Sequence, residues 1–228
     1  MIHLTFDDGP DPVWTPAVLG ALRDVDARAT FFVLGERAAM HPAIVERTLE
    51  AGHQVEVHGH GHLRHSATRR ECVEGDLLAA LAVLEGLGVK PALWRAPYGD
   101  LAPWSAEVAA RNGLTLAGWT ADTNDWRGGS AESMLSAVEP LLSAGAVVLA
   151  HDGVGPGALR AGCEETVKLI RPIVAAARMR GLEPVPLEPG QDLPAGNPSS
   201  EVVRRAGAHA QGTSRAVHLS RGSRHVST

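Results

Sequence analysis

Asp7 and Asp8 are adjacent carboxylates at the end of a short apolar run, Ile2 to Phe6, and Gly9-Pro10 stops that run. Neighbouring side chains of a continuing strand point to opposite faces. The pair can serve one site only if the backbone leaves strand geometry there, a departure that Gly-Pro favours. Two carboxylates at a strand end suit metal binding joined to proton transfer; as a plain turn, the same dipeptides would simply be solvated. Further along stands His58-Gly59-His60-Gly61-His62. On a helical turn His58 and His62 share a face, and in a strand all three histidines do. Two imidazoles and one carboxylate make a donor set typical of catalytic zinc, with Asp8 or Asp7 as the third ligand. Read otherwise, the tract is flexible and binds metal only adventitiously. His60 and His65 read as outer or exposed groups, and His53 as structural.

Arg95 either covers a surface or helix end or, beside two carboxylates, favours the ionised form of one of them. His151-Asp152 follows the apolar run Val147 to Ala150, which would deliver an imidazole able to act as an acid near neutral pH. Trp126 and Trp104 read as core residues or as stacking platforms for a sugar.

The elements that would carry these groups follow from apolar periodicity. Seven β-prone runs stand out: Ile2–Phe6, Ala29–Leu34, Gln54–Val57, Ala92–Arg95, Leu114–Trp119, Ala146–Ala150 and Leu182–Leu187. Amphipathic stretches lie between them. Thr15-Pro16 reads as an N-cap and first turn before Ala17 to Val25. Pro42 opens a helix that Gly52 closes, and a third covers about Thr68 to Leu87. Ser105 caps a fourth, Ser130 a fifth, and a sixth runs from about Glu164 to Arg180, with kinks or breaks expected at Pro140 and Pro172. Alternating β and α units predict a parallel sheet with right-handed crossovers, and their number favours a distorted, TIM-like (β/α)7 barrel. The reactive residues all fall just beyond strand ends: Asp7 and Asp8; His58 to His62; Arg95, Pro97 and Tyr98; Asp122, Asp125 and Trp126; His151 and Asp152. In parallel barrels that rim is where active sites form.

The 228 residues carry a net charge of -5, which offers no basic footprint for nucleic acid. No apolar stretch is long enough for a membrane span. The N-terminus shows no export signal, so the chain as written reads as cytoplasmic, or as extracellular if a leader segment is missing. Cys72 and Cys163 read as free thiols or small apolar residues rather than a disulfide framework. Residues 1–187 form the barrel and 188–228 a disordered or loosely attached tail, whose His209, His218 and His225 are too irregular to suggest a site. A monomer is expected.

With these residues in order, the chain resembles the polysaccharide deacetylases of carbohydrate esterase family 4, the NodB-homology group. Thr5-Phe6-Asp7-Asp8-Gly9-Pro10 matches the first family motif and His58 with His62 the second. Arg95-Ala96-Pro97-Tyr98-Gly99, Asp122-Thr123-Asn124-Asp125-Trp126 and Leu149-Ala150-His151-Asp152 match the third, fourth and fifth. The resemblance covers about residues 2 to 187. It implies one divalent metal, commonly zinc, with cobalt, nickel or manganese as alternatives, held by Asp8, His58 and His62. It further implies Asp7 as general base, His151 as general acid, Arg95 orienting Asp7 and Asp125 tuning His151. The Tyr98 backbone N–H would serve an oxyanion site beside Pro97, and Trp126 and Leu149 would line a pocket for the acetyl methyl. The family usually has Ser or Thr where this chain has Gly59, so the loop should be more mobile or should use His60 instead.

The expected reaction is metal-assisted removal of an N-acetyl, or less readily O-acetyl, group from a carbohydrate such as a chitooligosaccharide or peptidoglycan N-acetylglucosamine. No Gly-x-Ser-x-Gly nucleophile is present. The alternatives are a hydrolase of a small amide or imide on the same scaffold, or a non-catalytic glycan- or metal-binding module. Asp7 and His151 argue against the last, since binding needs neither base nor acid.

Overall fold

Strands form where β-branched and aromatic residues cluster between turn residues, and each of the first four such runs is answered by a strand in the computed structural model, which describes residues 1–189. The strands are β1 His3–Asp7, β2 Thr30–Val33, β3 Gln54–Val57, β4 Leu93–Trp94, β5 Thr115–Leu116, β6 Ala121–Asp122 and β7 Val147–His151. All six pairings are parallel, in the order β5-β4-β3-β2-β1-β7-β6. The two terminal strands of that order, β5 and β6, do not pair with each other. The sheet curls into a distorted (β/α)7 barrel left open along that seam.

One expected strand is corrected. Leu182–Leu187 makes only an isolated bridge, between Ile2 and Pro184. Pro184 and Pro186 remove two ladder donors, which disqualifies the run as a strand. It serves instead as a plug at the start of the strands. Val185 N–H bonds Ile2 O, His3 Nδ1 meets the carbonyls of Val185 and Pro186, and Leu187 N–H bonds Thr30 Oγ1. The seventh strand is β6, too short and too polar at Asp122 for periodicity to find.

The alternation of each strand sorts its residues. Leu4, Phe6, Phe31, Val33, Val148 and Ala150 face the helices and belong to the large core. Phe32, Leu93, Val147 and Leu149 belong to a separate cluster with Ala117, Trp119 and Leu187, which fills the barrel interior.

Around the sheet run α1 Trp14–Arg23, α2 Gly35–Met40, α3 Pro42–Glu50, α4 Arg70–Gly86, α5 Ser105–Arg111, α6 Ala131–Val138 and α7 Glu164–Met179. Ser130 caps α6 by accepting from Ser133 N–H, and Pro140 falls in a 3-10 turn just after it, where the break was expected. Thr15 is not an N-cap. The chain enters α1 two residues earlier, with Val13 at the cap position and Asp11 Oδ1 accepting from Val13 and Trp14 N–H. Pro172 does not end α7, whose buried Leu169, Ile170, Ile173 and Val174 lie on both sides of it. The short α2, ahead of Pro42, was not anticipated. No helix among the described residues is long and apolar enough to cross a membrane. The tail and its three histidines lie outside the described residues, apart from residues 188 and 189.

Phe31 is fully buried, stacked 5.2 Å from Phe6 and edge-on to His53 at 5.4 Å. Phe31→Ala should lower the unfolding free energy by about 3–5 kcal/mol, read as a lower urea midpoint.

Candidate active site and metal centre

Asp7 closes β1, and Asp8 follows with φ 72°. That left-handed residue is the departure from strand geometry that two neighbouring carboxylates required. Asp is among the few side chains that tolerate it. The space behind is tight: a Cβ on Gly9 would strike the Asp152 carboxylate, and one on Gly155 would strike Asp8 Oδ2. Arg37 holds the turn from outside, donating from Nη1 to Asp8 O at 2.7 Å and from Nη2 to Val154 O at 2.9 Å.

Asp8 Oδ1 lies 3.1 Å from His62 Nε2 and 3.5 Å from His58 Nε2. The three ligand atoms fall within 4.8 Å of one another, and all three residues are buried or nearly so. His58 Nδ1 is 2.8 Å from Arg95 O. A carbonyl can only accept, so Nδ1 carries a proton and Nε2 is the ring nitrogen that faces Asp8. Asp8 Oδ1 is buried without a hydrogen-bond donor. A buried carboxylate oxygen and two ring nitrogens this close together form an Asp-His-His donor set whose chemistry fits a divalent cation. Burial alone would raise the pKa of Asp8. The two imidazoles and the charge on His151 overcome it and hold Asp8 well below the ordinary carboxylate value.

Asp7 is divided between two neighbours. Its Oδ1 accepts from Arg95 Nη1 at 2.8 Å, while Oδ2 stands 3.9 Å from His58 Nε2. Arg95 is completely buried and spends its guanidinium inside the barrel. Nη1 also donates to Thr5 Oγ1 at 2.7 Å, Nε to Ala117 O and Nη2 to Gly118 O, with Phe32 beneath at 4.0 Å. It is no surface arginine.

Across the site, His151 ends β7 with Nδ1 2.7 Å from Asp125 Oδ1, and its backbone N–H donates to Asp125 Oδ2 at 2.9 Å. Burial opposes charge on this ring. Asp125, with Asp8 and Asp7 beyond, outweighs burial and raises the pKa of His151 to about 10. Burial also works against the Asp125 carboxylate, yet His151, Arg160 and Thr166 draw it down to about 2. Arg160 lies 3.0 Å from Asp125 Oδ2, and Thr166 donates to the same oxygen at 2.7 Å. Neither Arg160 nor Thr166 was visible in the sequence, where they are a loop arginine and the first turn of α7. Asp152, behind His151, is fully buried and accepts from Thr15 Oγ1. Burial raises its pKa to about 7 against that bond, and Asp8 adds to the rise.

The loop 58–62 was expected to be loose or to use His60. Neither holds. Its carbonyls at Gly59 and His60 accept from Gly35 and Glu36 N–H at the start of α2. Its amides at His60 and Gly61 donate to Asp76 Oδ2 and Oδ1 of α4, at 2.7 and 2.8 Å. The His60 ring takes no part, since its buried Nδ1 has no partner. Gly59, at φ 98°, leaves room for Asp76, which a Cβ there would meet at 2.8 Å. A helical aspartate thus does what a loop hydroxyl was expected to do. Nothing in the sequence flags it except the two glycines that let it approach.

The remaining candidates separate. Tyr98 sits in a 3-10 turn at φ 62°, its ring 4.4 Å from His62, and no described residue accepts from its N–H. Pro97 is buried beside Gly59. Leu149 is buried in the barrel interior, and Trp126 lies under Arg127 at 4.8 Å. Trp104 is no platform. It packs on the core and stacks on His65, itself buried against Trp94 and bonded to Ser105. Burial lowers the pKa of His65 to about 4, so it is a neutral core residue, neither an exposed nor an outer group of the site. His53 is structural, accepting from Ala29 N–H. Cys72 and Cys163 are both free.

Known proteins resemble this chain in sequence and fold. The family model described as polysaccharide deacetylase matches residues 1–117. A chitooligosaccharide deacetylase from Bradyrhizobium sp. (strain ANU 289) is 34% identical over 196 residues, 82% of this chain and 88% of the relative. A peptidoglycan-N-acetylglucosamine deacetylase from Bacillus cereus is 37% identical over 155 residues, 67% of this chain and 73% of the relative. Among solved structures, a family 4 carbohydrate esterase from Streptomyces lividans in complex with acetate superposes with a TM-score of 0.76 at 30% identity, covering 86% of this chain and 97% of that one.

Because Asp76 fixes the amides between the two candidate ligands His58 and His62, Asp76→Ala should weaken binding of Co2+ or Zn2+ by roughly 10- to 100-fold. Calorimetric titration of the metal-free protein reads this directly, with its melting temperature as the control for folding.

Proposed function

The chain belongs to the polysaccharide deacetylase family, and on that footing we propose that it hydrolyses N-acetyl groups on an N-acetylglucosamine-containing glycan, with one divalent ion held by Asp8, His58 and His62. The observation that carries this reading is the pairing of an acid and a base across the metal donors: Asp7 on one side, anchored by Arg95, and His151 on the other, anchored by Asp125. A metal-storage or glycan-binding site has no use for that pair. Zinc is the proposed ion, since two imidazoles and one carboxylate suit it.

When bound, the ion supplies Lewis acidity, polarising the acyl oxygen and acidifying water. Asp7 turns Oδ2 toward the donors while Arg95 occupies Oδ1, so Oδ2 is the oxygen that takes a proton from the attacking water. The Tyr98 N–H, left without an acceptor by its left-handed backbone, donates to the developing oxyanion. His151 keeps a proton on Nδ1 through Asp125, which leaves Nε2–H to protonate the departing amine nitrogen. Acetate is released with no covalent acyl-enzyme. Trp126 and Leu149 are assigned to the acetyl methyl from their places after β6 and on β7.

A general acid must be protonated to work. A pKa of about 10 keeps His151 protonated through neutral pH, and activity falls as pH rises through the working value. Asp125→Asn removes the charge that opposes burial of the ring, so the alkaline limb of kcat/KM should move to lower pH.

Acetate release from chitooligosaccharides and from peptidoglycan saccharides, with metal and with chelator, tests the reading. Release that needs metal supports it, and no release from either substrate in metal overturns it. Asp7→Asn and His151→Ala should each lower turnover by roughly 100- to 10,000-fold while elemental analysis still finds bound metal. Near-normal turnover in both would overturn the assigned roles.

A further inference from the structure

Arg160 lies on the loop between β7 and α7, flanked by the exposed Leu159 and Ala161, yet its side chain is only 7% exposed. A loop guanidinium is stable facing inward only where acceptors and a counter-charge meet it. Here they come from three segments. Nη1 stands 3.0 Å from Asp125 Oδ2, after β6, and also donates to Thr166 Oγ1 in the first turn of α7. Nη2 donates to the carbonyls of His151 and Gly153, at 3.2 Å each. One planar fork thus holds the carboxylate partner of His151, the backbone of His151 and the loop that follows it.

The Asp125 carboxylate is shared unequally. Oδ1 accepts from His151 Nδ1 at 2.7 Å, while Oδ2 takes the His151 N–H, the Thr166 hydroxyl and Arg160. The charges that act on the His151 ring are those of Asp125 after β6, Asp122 on β6, and Asp7 and Asp8 at the end of β1. All four are carboxylates that favour a protonated ring. Arg160 sets a cation against them at the far oxygen of Asp125. An acid that holds its proton too tightly transfers it slowly, so a cation in this place tempers the hold.

The same arginine reaches the metal side of the site through the backbone. Gly153 and Gly155 pack on Asp8: a Cβ at 153 would lie 2.7 Å from Asp8 O, and one at 155 would strike Asp8 Oδ2. Arg37 holds the residue between them by Val154 O. Arg160 holds Gly153 by its carbonyl, so the wall behind Asp8 is fastened to the carboxylate that serves His151.

We infer that Arg160 is a positioning residue that joins the two halves of the site: it shares Asp125 with His151 and, through Gly153, fastens the loop that backs the candidate metal ligand Asp8. The role of His151 as acid rests on the deacetylase reading; the link to Asp8 does not.

The test compares Arg160→Gln, which removes the charge, with Arg160→Lys, which keeps it. In the zinc-loaded protein the alkaline limb of kcat/KM should move to higher pH by roughly half a unit to one unit in Arg160→Gln, opposite to the shift in Asp125→Asn. In Arg160→Lys it should stay near the wild-type position. Metal affinity, from calorimetric titration of the metal-free protein, should fall roughly tenfold in both, since neither side chain reaches Asp125, His151 O and Gly153 O together. A merely structural loss would lower turnover at every pH and leave the limb in place. A limb that stays or moves to lower pH in Arg160→Gln overturns the inference. So does a limb that moves as far in Arg160→Lys, or wild-type metal affinity in both variants. If the melting temperature shows Arg160→Gln unfolded, Arg160→Lys decides: an unmoved limb with weakened metal supports the inference, and undiminished metal affinity overturns it. Absence of acetate from every substrate overturns the deacetylase reading instead. Histidine-ring NMR, with His151 assigned by its loss in His151→Ala, then reads the same shift without turnover.

Discussion

Everything at the rim hangs on a buried charge pair inside the barrel. Arg95 is a cation with no exposure, and among the described residues Asp7 is the one carboxylate at bonding distance. A guanidinium in such a place is tolerated only when its donors are met and its charge is balanced. Thr5, Ala117 and Gly118 complete the first condition, and Asp7 meets the second. Through this one side chain β1, β4 and the segment after β5 are tied together at the height where the active site begins. Arg95 also lends its carbonyl to His58, which places a proton on Nδ1 of a candidate metal ligand. Fold and site share the same atoms, so the site is assembled as the barrel closes.

The different placement of Asp7 and Asp8 is a matter of backbone, not of side-chain chemistry. Both are buried aspartates, one residue apart. Asp7 keeps strand geometry and points into the barrel toward Arg95. Asp8, in the left-handed region, points to the histidines. Opposite them, Asp125 does for His151 what Arg95 does for Asp7: a buried partner of opposite charge fixes one atom of the reactive group and frees the other. Arg160 and Thr166 hold Asp125 in turn, so each reactive group is backed by a chain of partners reaching into the core.

Much of this was legible from residue types. Carboxylates, imidazoles and an arginine repeatedly placed after apolar runs are visible without coordinates, because strand ends of a parallel barrel converge. What escaped were groups whose sequence context looks ordinary. Asp76 reads as one more polar position on α4, and Arg160 as one more loop charge, until folding brings each against a buried partner. The misread run at 182–187 has strand-like hydrophobicity but lacks the N–H groups at Pro184 and Pro186 that a ladder needs. The strand at 121–122 was hidden for the opposite reason, having pairing partners but almost no length. His65 and Trp104, which looked chemically interesting, proved to be packing.

The close approach of Asp76 to Gly59 also constrains how this loop can drift over generations. A hydroxyl-bearing residue at 59 and an aspartate at 76 compete for one volume, since any Cβ at 59 meets the carboxylate at 2.8 Å. Neither replacement is neutral alone: a side chain at 59 displaces the aspartate, and losing the aspartate first leaves the His60 and Gly61 amides unmatched. Descendants of this sequence would change both positions together or neither, so 59 and 76 should covary although they lie on different elements and neither touches the reacting atoms.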